Sequence, residues 1–422
     1  MRMSIVPSRT TDAPVLRAKT TGDRFLKALI FASAGLTGLS IAMYGGLASW
    51  VSEDLDLRHV HSGLAQAAFF AGNLLAVWLM GRALRANPSP GRLWLMALSF
   101  TAMGSLATGT PSFALLVFGR FVAGMGLSST TLALTALIVE RWPAERTRML
   151  NLMHACTATA AALALGGGRS LAEGLGGWMP VFWLCALAGG LTAVGLRFVD
   201  LSPVEEVSDE ETGFAEEFDA DRPPVSLARI IGIMGAYVAI EQALTVFLPA
   251  LAETALNLSP ARASLAGAVM WAGVIVGRLG SAALRTLPER PTLIFGSLGM
   301  GASVLLAMVQ TEWWTMAPLI FAAGVFGGPL IPTGYGLASR SRSVSRPLAI
   351  SLCQVGTGLG GLAGPTFVGL AGDGWGLQAG LTCVALTALV AGLGLALPAQ
   401  LASTGEDDDA VTSPSLNLAE AA

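Results

Sequence analysis

Apolar stretches long enough to cross a membrane recur along the whole chain, separated by short polar connections. Six cover approximately residues 26–49, 62–80, 93–109, 113–138, 149–167 and 178–199, and six more cover about 228–252, 262–284, 292–310, 315–338, 348–371 and 377–399. A spanning helix needs ~20 mostly apolar residues, because the hydrocarbon layer is ~30 Å thick and every backbone amide must be paired within the segment. The pattern predicts an all-α membrane protein with twelve transmembrane helices.

The composition agrees with a membrane location. Hydrophobic residues make up 53% of the 422 residues and charged residues only 13%, too few charges to solvate a soluble protein of this size. Six Lys and Arg residues, from Arg2 to Lys27, lie before or at the start of the first apolar stretch, as in a secretory signal. That stretch is too long for a signal core and is followed by eleven others, so we expect it to be retained as the first helix.

An internal repeat divides the chain into halves. Ala83-Leu84-Arg85 recurs 200 residues later as Ala283-Leu284-Arg285, and Ala123-Gly124 recurs as Ala323-Gly324. The shared register predicts two pseudo-symmetric six-helix bundles, with a solute site between them near the membrane midplane. The predicted domains are an N-terminal segment (1–25), a first bundle (26–199), a linker (200–227), a second bundle (228–400) and a tail (401–422).

The distribution of charge predicts the orientation. Of the 25 Lys and Arg residues, 21 lie in the N-terminal segment or in connections on one side of the predicted membrane. Cationic loops are retained in the cytoplasm, so both termini are expected to be cytoplasmic, in the inner membrane. Ten of the 28 acids lie between Asp200 and Asp221, which with the acidic tail predicts solvated segments without a fold of their own.

Polar residues inside the spans identify a candidate binding region. Tyr237, Glu241 and Thr245 are spaced by four residues and share one helix face. Polar residues in other spans are further candidates for substrate binding or coupling: Arg120, Asn73, Gln66, Tyr44, His154, Gln354 and Tyr335. Interhelical packing is the alternative role for the hydroxyl groups among them, and packing is the alternative for the tyrosine rings.

Two buried charges carry the strongest expectations. Glu241 lies twelve residues after Arg229, so a rise of 1.5 Å per residue places it roughly 18 Å deep, near the midplane. It is the candidate for coupling to a proton or cation or for hydrogen bonding to solute hydroxyls; a fixed structural ion pair or hydrogen bond is the alternative. Arg120 is a candidate for gating support or for contact with an anionic solute.

Two short motifs lie after the second predicted helix and within the fourth. Gly81, Gly91 and Arg92, after the second helix, resemble a loop motif of the major facilitator superfamily, although Arg85 stands where that motif has an acid. Arg120, Gly124 and Gly126 reproduce the superfamily's Arg-x-x-x-Gly-x-Gly pattern in the fourth helix. The resemblance implies a gating role for these residues, and Arg278 is added as a residue of the gate or of the membrane interface. A weaker similarity, through His154, Glu241 and Arg278, is to the fucose and glucose permease branch.

The predicted function is secondary active or facilitative transport of a small polar organic solute, a sugar or an organic acid, by alternating access. The antiporter signature of the fifth helix is absent from residues 154–168, which favours symport or facilitated uptake. An exporter of amphipathic drugs or metabolites, or a binding protein with the same fold, remains the alternative. The expected partners are the small-molecule substrate, membrane lipids and a coupling proton or cation, with no nucleic acid, and the chain is expected to be a monomer.

Motifs for other classes of protein were not found. The sequence has no P-loop and no His-Glu-x-x-His motif, which argues against ATP hydrolysis and against a metalloenzyme. The four cysteines fall inside predicted spans at unrelated spacings. We therefore expect no enzymatic activity, no cofactor and no metal site.

Overall fold

The computed structural model describes residues 21–85, 89–142, 145–199, 201, 226–284, 288–340, 344 and 346–397. Most of the predicted N-terminal segment and acidic linker, and all of the predicted tail, lie outside these residues.

The first half consists of six long helices. They are α1 (Thr21–Asp54), α2 (His59–Arg85), α3 (Pro90–Thr108), α4 (Phe113–Arg141), α5 (Arg146–Gly174) and α6 (Met179–Gly195), followed by a short 3₁₀ turn at Leu196–Phe198. Most of these helices extend beyond the predicted apolar stretches, because helical turns continue into the polar connections.

The second half repeats this order with one interruption. Its helices are α7 (Leu227–Ala255), α8 (Pro260–Ala283), α9 (Glu289–Met308), α10 (Trp313–Gly327), α11 (Leu330–Ala338), α12 (Arg346–Gly374) and α13 (Leu377–Ala396). The tenth predicted span is therefore two helices, α10 and α11, that meet at Gly328 and Pro329. Proline lacks the N–H needed to continue the helical hydrogen bonds, which accounts for the break.

The helices have the length and polarity of membrane spans. Within the described residues, ten segments are long and apolar enough to cross a membrane, and one of them, Trp313–Ala338, combines α10 and α11. The other two long helices, α3 and α12, occupy the predicted third and eleventh positions. The prediction of an all-α membrane protein with twelve transmembrane helices is confirmed.

The two halves meet along a few helices. Across the interface α2 packs on α12, α5 on α8 and α1 on α7. The helices α3, α6, α9 and α13 pack mainly within their own half, and apart from Glu289 at the first residue of α9 they hold no acid or histidine. Apolar helices thus surround the inner helices that carry the buried charges of Arg120 and Glu241.

The two ends of the bundle differ. We call the end that holds the α2–α3, α4–α5 and α8–α9 connections the basic end, because Arg82, Arg92, Arg141 and Arg290 lie there, and the other end the opposite end.

At the opposite end the halves are joined by polar contacts. Both oxygens of the Asp373 carboxylate accept hydrogen bonds from the first backbone N–H groups of α2, at His59 (3.0 Å) and Val60 (3.3 Å), and Ser49 donates to Glu253 at 3.0 Å. The opposite end is therefore closed.

Substitution of Asp373 should loosen this closure. A carboxylate at a helix N-terminus interacts favourably with the unpaired N–H groups and with the helix dipole. In Asp373→Ala both contacts are lost, and we expect a cysteine placed at Ser62, a buried position of α2, to react several-fold faster with a soluble maleimide. An unchanged rate would show that this cap does not hold the halves together.

Glycines bring the helices into close contact. A Cβ atom at Gly45 of α1 would lie 2.2 Å from the carbonyl oxygen of Thr245, and one at Gly63 of α2 would lie 2.4 Å from that of Pro365. Both contacts cross between the halves. Small residues allow such backbone approach in membrane helices.

The tightest of these contacts predicts a folding defect. A Cβ atom at Gly124 of α4 would lie 1.7 Å from the carbonyl oxygen of Phe69 in α2, so Gly124→Ala must push the two backbones apart. We expect the variant to lose most of its monodisperse yield in detergent. Gly190→Ala is the matched control, since no atom lies within 4 Å of its added Cβ, and its yield and unfolding temperature should equal the parent's.

Candidate functional site

A buried carboxylate lies at the centre of α7. Glu241 is 6% exposed and accepts hydrogen bonds at both oxygens, from the hydroxyl of Tyr237 at Oε1 and from Nε2 of Gln242 at Oε2 (3.1 Å). Its backbone oxygen accepts from the Thr245 hydroxyl at 2.7 Å, and that hydroxyl accepts from the Trp271 indole at 3.1 Å. The predicted stripe of Tyr237, Glu241 and Thr245 is one connected group that reaches α8 through Trp271.

A buried guanidinium lies on the other side of the interface. Arg120 of α4 is 1% exposed and donates from Nη1 to the carbonyl oxygen of Ser40 (2.7 Å) and from Nη2 to Oε1 of Gln66 (2.6 Å). Its guanidinium carbon stands 4.4 Å from the ring centre of Phe69 and 5.2 Å from that of Tyr44. Hydrogen bonds and aromatic faces thus stabilise the charge, and no carboxylate of the described part of the chain forms an ion pair with it.

The two groups are joined across the halves by a pair of amides. Nε2 of Gln66 in α2 donates to Oε1 of Gln242 in α7 at 2.8 Å. A continuous path of hydrogen bonds therefore runs from Arg120 through Gln66 and Gln242 to Glu241. We call these four residues the central network.

A cavity of about 380 Å³ opens between the halves towards the basic end. Polar and charged side chains from four helices line it: Asn151 and His154 of α5, Arg278 and Ser281 of α8, Glu289 and Thr292 of α9, and Thr333 and Tyr335 of α11. The apolar side chains of Ile275, Leu279 and Ile331 cover other parts of the wall. A site of this size and mixed lining suits a small amphipathic molecule.

Arg278 connects the cavity to the buried carboxylate. It lines the cavity, and its charge interacts with Tyr237 and Glu241 on one side and with His154 on the other. Its Nε also donates to the Gly328 carbonyl oxygen at 3.4 Å, where the break between α10 and α11 exposes that oxygen. A molecule in the cavity would therefore lie within electrostatic reach of Glu241.

The sequence profile of the Major Facilitator Superfamily matches residues 30–286 and 225–414, which together include all but the ends of the chain. The chain belongs to the Major Facilitator Superfamily. It is accordingly a multi-pass membrane transporter of small molecules and not an enzyme.

Proteins of different kinds are similar to this chain. A chloramphenicol resistance protein of Streptomyces lividans is 28% identical over 349 residues, which cover 79% of this chain and 86% of that protein. A bacterial homologue of the human lysosomal transporter Spinster, in an inward-facing and unoccupied conformation, superposes with a TM-score of 0.68 at 15% identity, covering 89% of this chain and 96% of the other. A D-xylose–proton symporter gives 0.69 at 14% identity, covering 88% and 97%. At such identity the structures show the shared fold alone.

The residues of the two superfamily motifs fall in different environments. Gly124 and Gly126 are close-packing positions, against Phe69 of α2 and Thr101 of α3. Arg92 is exposed at the basic end. Gly81 and Arg85 belong to α2, but they are outside the set of residues whose surroundings the structure describes.

The structure separates the predicted site residues into groups. Arg120, Gln66, Tyr44, Tyr237, Glu241 and Thr245 meet at or beside the central network, whereas His154 and Tyr335 line the cavity with Arg278. Asn73 is elsewhere: its Oδ1 accepts from Ser128 within the first half. Gln354 is half-buried in α12 and is not among the side chains that line the cavity.

Gln242 and Trp271 belong to this site, although neither was predicted from the sequence. Gln242 adjoins Glu241 and therefore points away from the stripe that spacing identifies, towards the other half. The sequence signal for Gln242 was an uncharged polar residue beside Glu241, deep in an apolar span, because such a side chain needs a hydrogen-bond partner in hydrocarbon. Trp271 gave no signal beyond its size.

Proposed function

We propose that this transporter exports small amphipathic molecules of the phenicol type from the cytoplasm in exchange for protons, with Glu241 as the residue that carries the proton. The observation that carries the proposal is the cavity, with its mixed lining, beside a buried carboxylate. The proposal takes the exporter alternative in place of sugar or organic-acid uptake.

The mixed lining of the cavity supports a substrate that combines an apolar ring with polar substituents. Chloramphenicol carries a nitrophenyl ring, two hydroxyls and an amide. Ile275, Leu279 and Ile331 offer apolar contacts for a ring, while Asn151, Arg278 and Tyr335 offer donors for oxygens. The similarity to a resistance protein over most of both chains supports the same class of substrate.

The position of Glu241 supports proton exchange. A carboxylate removed from water is costly unless it is hydrogen-bonded, so its charge state responds to the groups around it. Substrate that enters the cavity approaches Arg278, which also interacts with Glu241. Binding of substrate and of a proton can therefore influence each other through Arg278, which is the requirement for exchange.

The orientation of the chain and its closed opposite end together support export from the cytoplasm. We place the basic end in the cytoplasm, because Lys and Arg are enriched on that side of inner-membrane proteins. With the opposite end sealed by the Asp373 and Ser49 contacts, the cavity then faces the cytoplasm, from which an exporter takes its substrate.

Resistance and binding test the proposal together. Cells that express the chain should tolerate several-fold more chloramphenicol than cells with an empty vector, and chloramphenicol should raise the unfolding temperature of the purified protein, because a ligand of the native state stabilises it. No gain in resistance together with no shift in the unfolding temperature would contradict the proposal.

A second candidate is transport of a sugar or an organic acid, favoured by the polar groups Asn151, His154 and Arg278 on one wall of the cavity. In the same thermal-shift measurement, a pentose, hexose or dicarboxylate that stabilises the protein more than chloramphenicol would favour this candidate.

A further inference from the structure

The amide pair in the central network has a fixed direction. A guanidinium only donates hydrogen bonds, so the atom of Gln66 that faces Arg120 is its carbonyl oxygen. Its NH₂ group then faces the carbonyl oxygen of Gln242, and the NH₂ group of Gln242 faces Glu241. Each hydrogen bond therefore donates towards the carboxylate, and the chain of dipoles starts at a positive charge.

This direction of donation favours the ionised state of Glu241. An ionised carboxylate accepts from both Tyr237 and Gln242, whereas a protonated one carries a hydrogen that needs an acceptor of its own and competes with one of these donors. Hydrogen bonds in a series polarise one another, so the charge of Arg120 strengthens the last bond of the chain.

The same series of hydrogen bonds joins the two halves. The bond between Gln66 and Gln242 links α2 to α7, both amides are at most 2% exposed, and the halves must separate here before the opposite end can open. We propose that the Gln66–Gln242 bridge is the device that reports the charge of Glu241 to the interface: it holds the halves together while Glu241 is ionised and releases them when Glu241 takes up a proton. Gln66 and Gln242 are thus positioning residues, and the inference rests on the proton-coupled transport proposed above.

The other charged groups near Glu241 do not supply this link. On its own helix Tyr237 faces it, and on α8 Arg278 does so, but both belong to the second half. From the first half, Tyr44 of α1 packs on Arg120. The titratable groups of the remaining neighbours have other partners: Tyr335 of α11 interacts with Cys353 of α12, and Glu289 of α9 pairs with Arg340.

A distance measurement without substrate tests the bridge. Spin labels are placed on cysteines at Gly174 and Ala261, exposed at the opposite end on the two halves, after the four native cysteines are replaced by alanine. In lipid nanodiscs we expect the short distance of the closed opposite end to dominate at alkaline pH and longer distances at acidic pH. The pH midpoint of this change is the quantity to compare.

The variants separate a relay from simple packing. Gln242→Met removes a donor to Glu241 and should raise the midpoint by about one pH unit, the size of one hydrogen bond to a charge. Gln66 contacts neither Glu241 nor the cavity, yet Gln66→Met should also raise the pH midpoint. This effect should vanish in the Gln242→Met background. If Gln66→Met folds poorly, Gln66→Glu keeps the shape and the bond from Arg120, and its midpoint should rise at least as much.

Ser297→Ala is the control, because it removes a buried interhelical hydrogen bond, to the Ala388 carbonyl oxygen, far from the network and should leave the midpoint unchanged. A parental midpoint in Gln66→Met, or an effect of Gln66→Met that persists beside Gln242→Met, would overturn the bridge. A pH response that survives in Glu241→Gln would instead refute proton coupling at Glu241, whatever the substrate.

Discussion

Glu241→Gln is expected to abolish accumulation of chloramphenicol against a gradient while leaving the fold and downhill exchange intact. The amide keeps the shape of the carboxylate, and its carbonyl oxygen still accepts from the Tyr237 hydroxyl, but it cannot release a proton. Its NH₂ group then faces the NH₂ group of Gln242, which loses its acceptor. A gradient of one pH unit can sustain about tenfold accumulation per exchanged proton, and the variant should reach a ratio of about one.

Glu253→Gln provides the matched control, since Glu253 lies on the same helix, accepts from Ser49 and has no part in the central network. It should accumulate chloramphenicol as the parent does, because its amide oxygen can still accept that bond. A Glu241→Gln transporter with full accumulation and the parental dependence on pH would show that Glu241 carries no proton for transport.

Arg120→Lys is expected to slow transport roughly tenfold to hundredfold, the cost of one lost hydrogen bond to a charge. The guanidinium reaches the Ser40 carbonyl and Gln66 at once with its planar fork, and an ammonium, although it keeps the charge, does not match that geometry. The rate of chloramphenicol exchange in vesicles measures the effect, and the unfolding temperature shows whether the fold is retained.

Arg290→Lys is the corresponding control, because within the described residues Arg290 donates to the Leu395 carbonyl at the end of α13, far from the central network. Its exchange rate should match the parent's. Unchanged exchange and stability in Arg120→Lys would remove Arg120 from the transport machinery and would leave it a role in packing alone.

Much of the fold could be predicted from sequence because a membrane restricts the choices. Each spanning segment must be helical and apolar, so hydropathy alone located the twelve helices, and the 200-residue repeat divided them into halves. The break between α10 and α11 was missed, since Pro329 and Pro332 lie in a stretch whose apolar content is continuous. Hydropathy does not register the loss of a backbone donor.

The candidate site was predicted less completely, because spacing along one helix shows which residues share a face but not what they meet. Tyr237, Glu241 and Thr245 were found in this way. The link from Glu241 to Arg120 was not, because it depends on Gln66 and Gln242, residues of different halves that meet only in the folded protein. Asn73 met the same criterion as Gln66, yet it bonds to Ser128 within its own half.

The central claim, export by proton exchange, is tested most directly with the purified protein in liposomes. An imposed pH gradient, acidic inside, should drive radiolabelled chloramphenicol into the vesicles above its external concentration through molecules whose basic end faces outward, and a protonophore should abolish the accumulation. Chloramphenicol that equilibrates at the same rate and to the same level with or without the gradient would contradict the account.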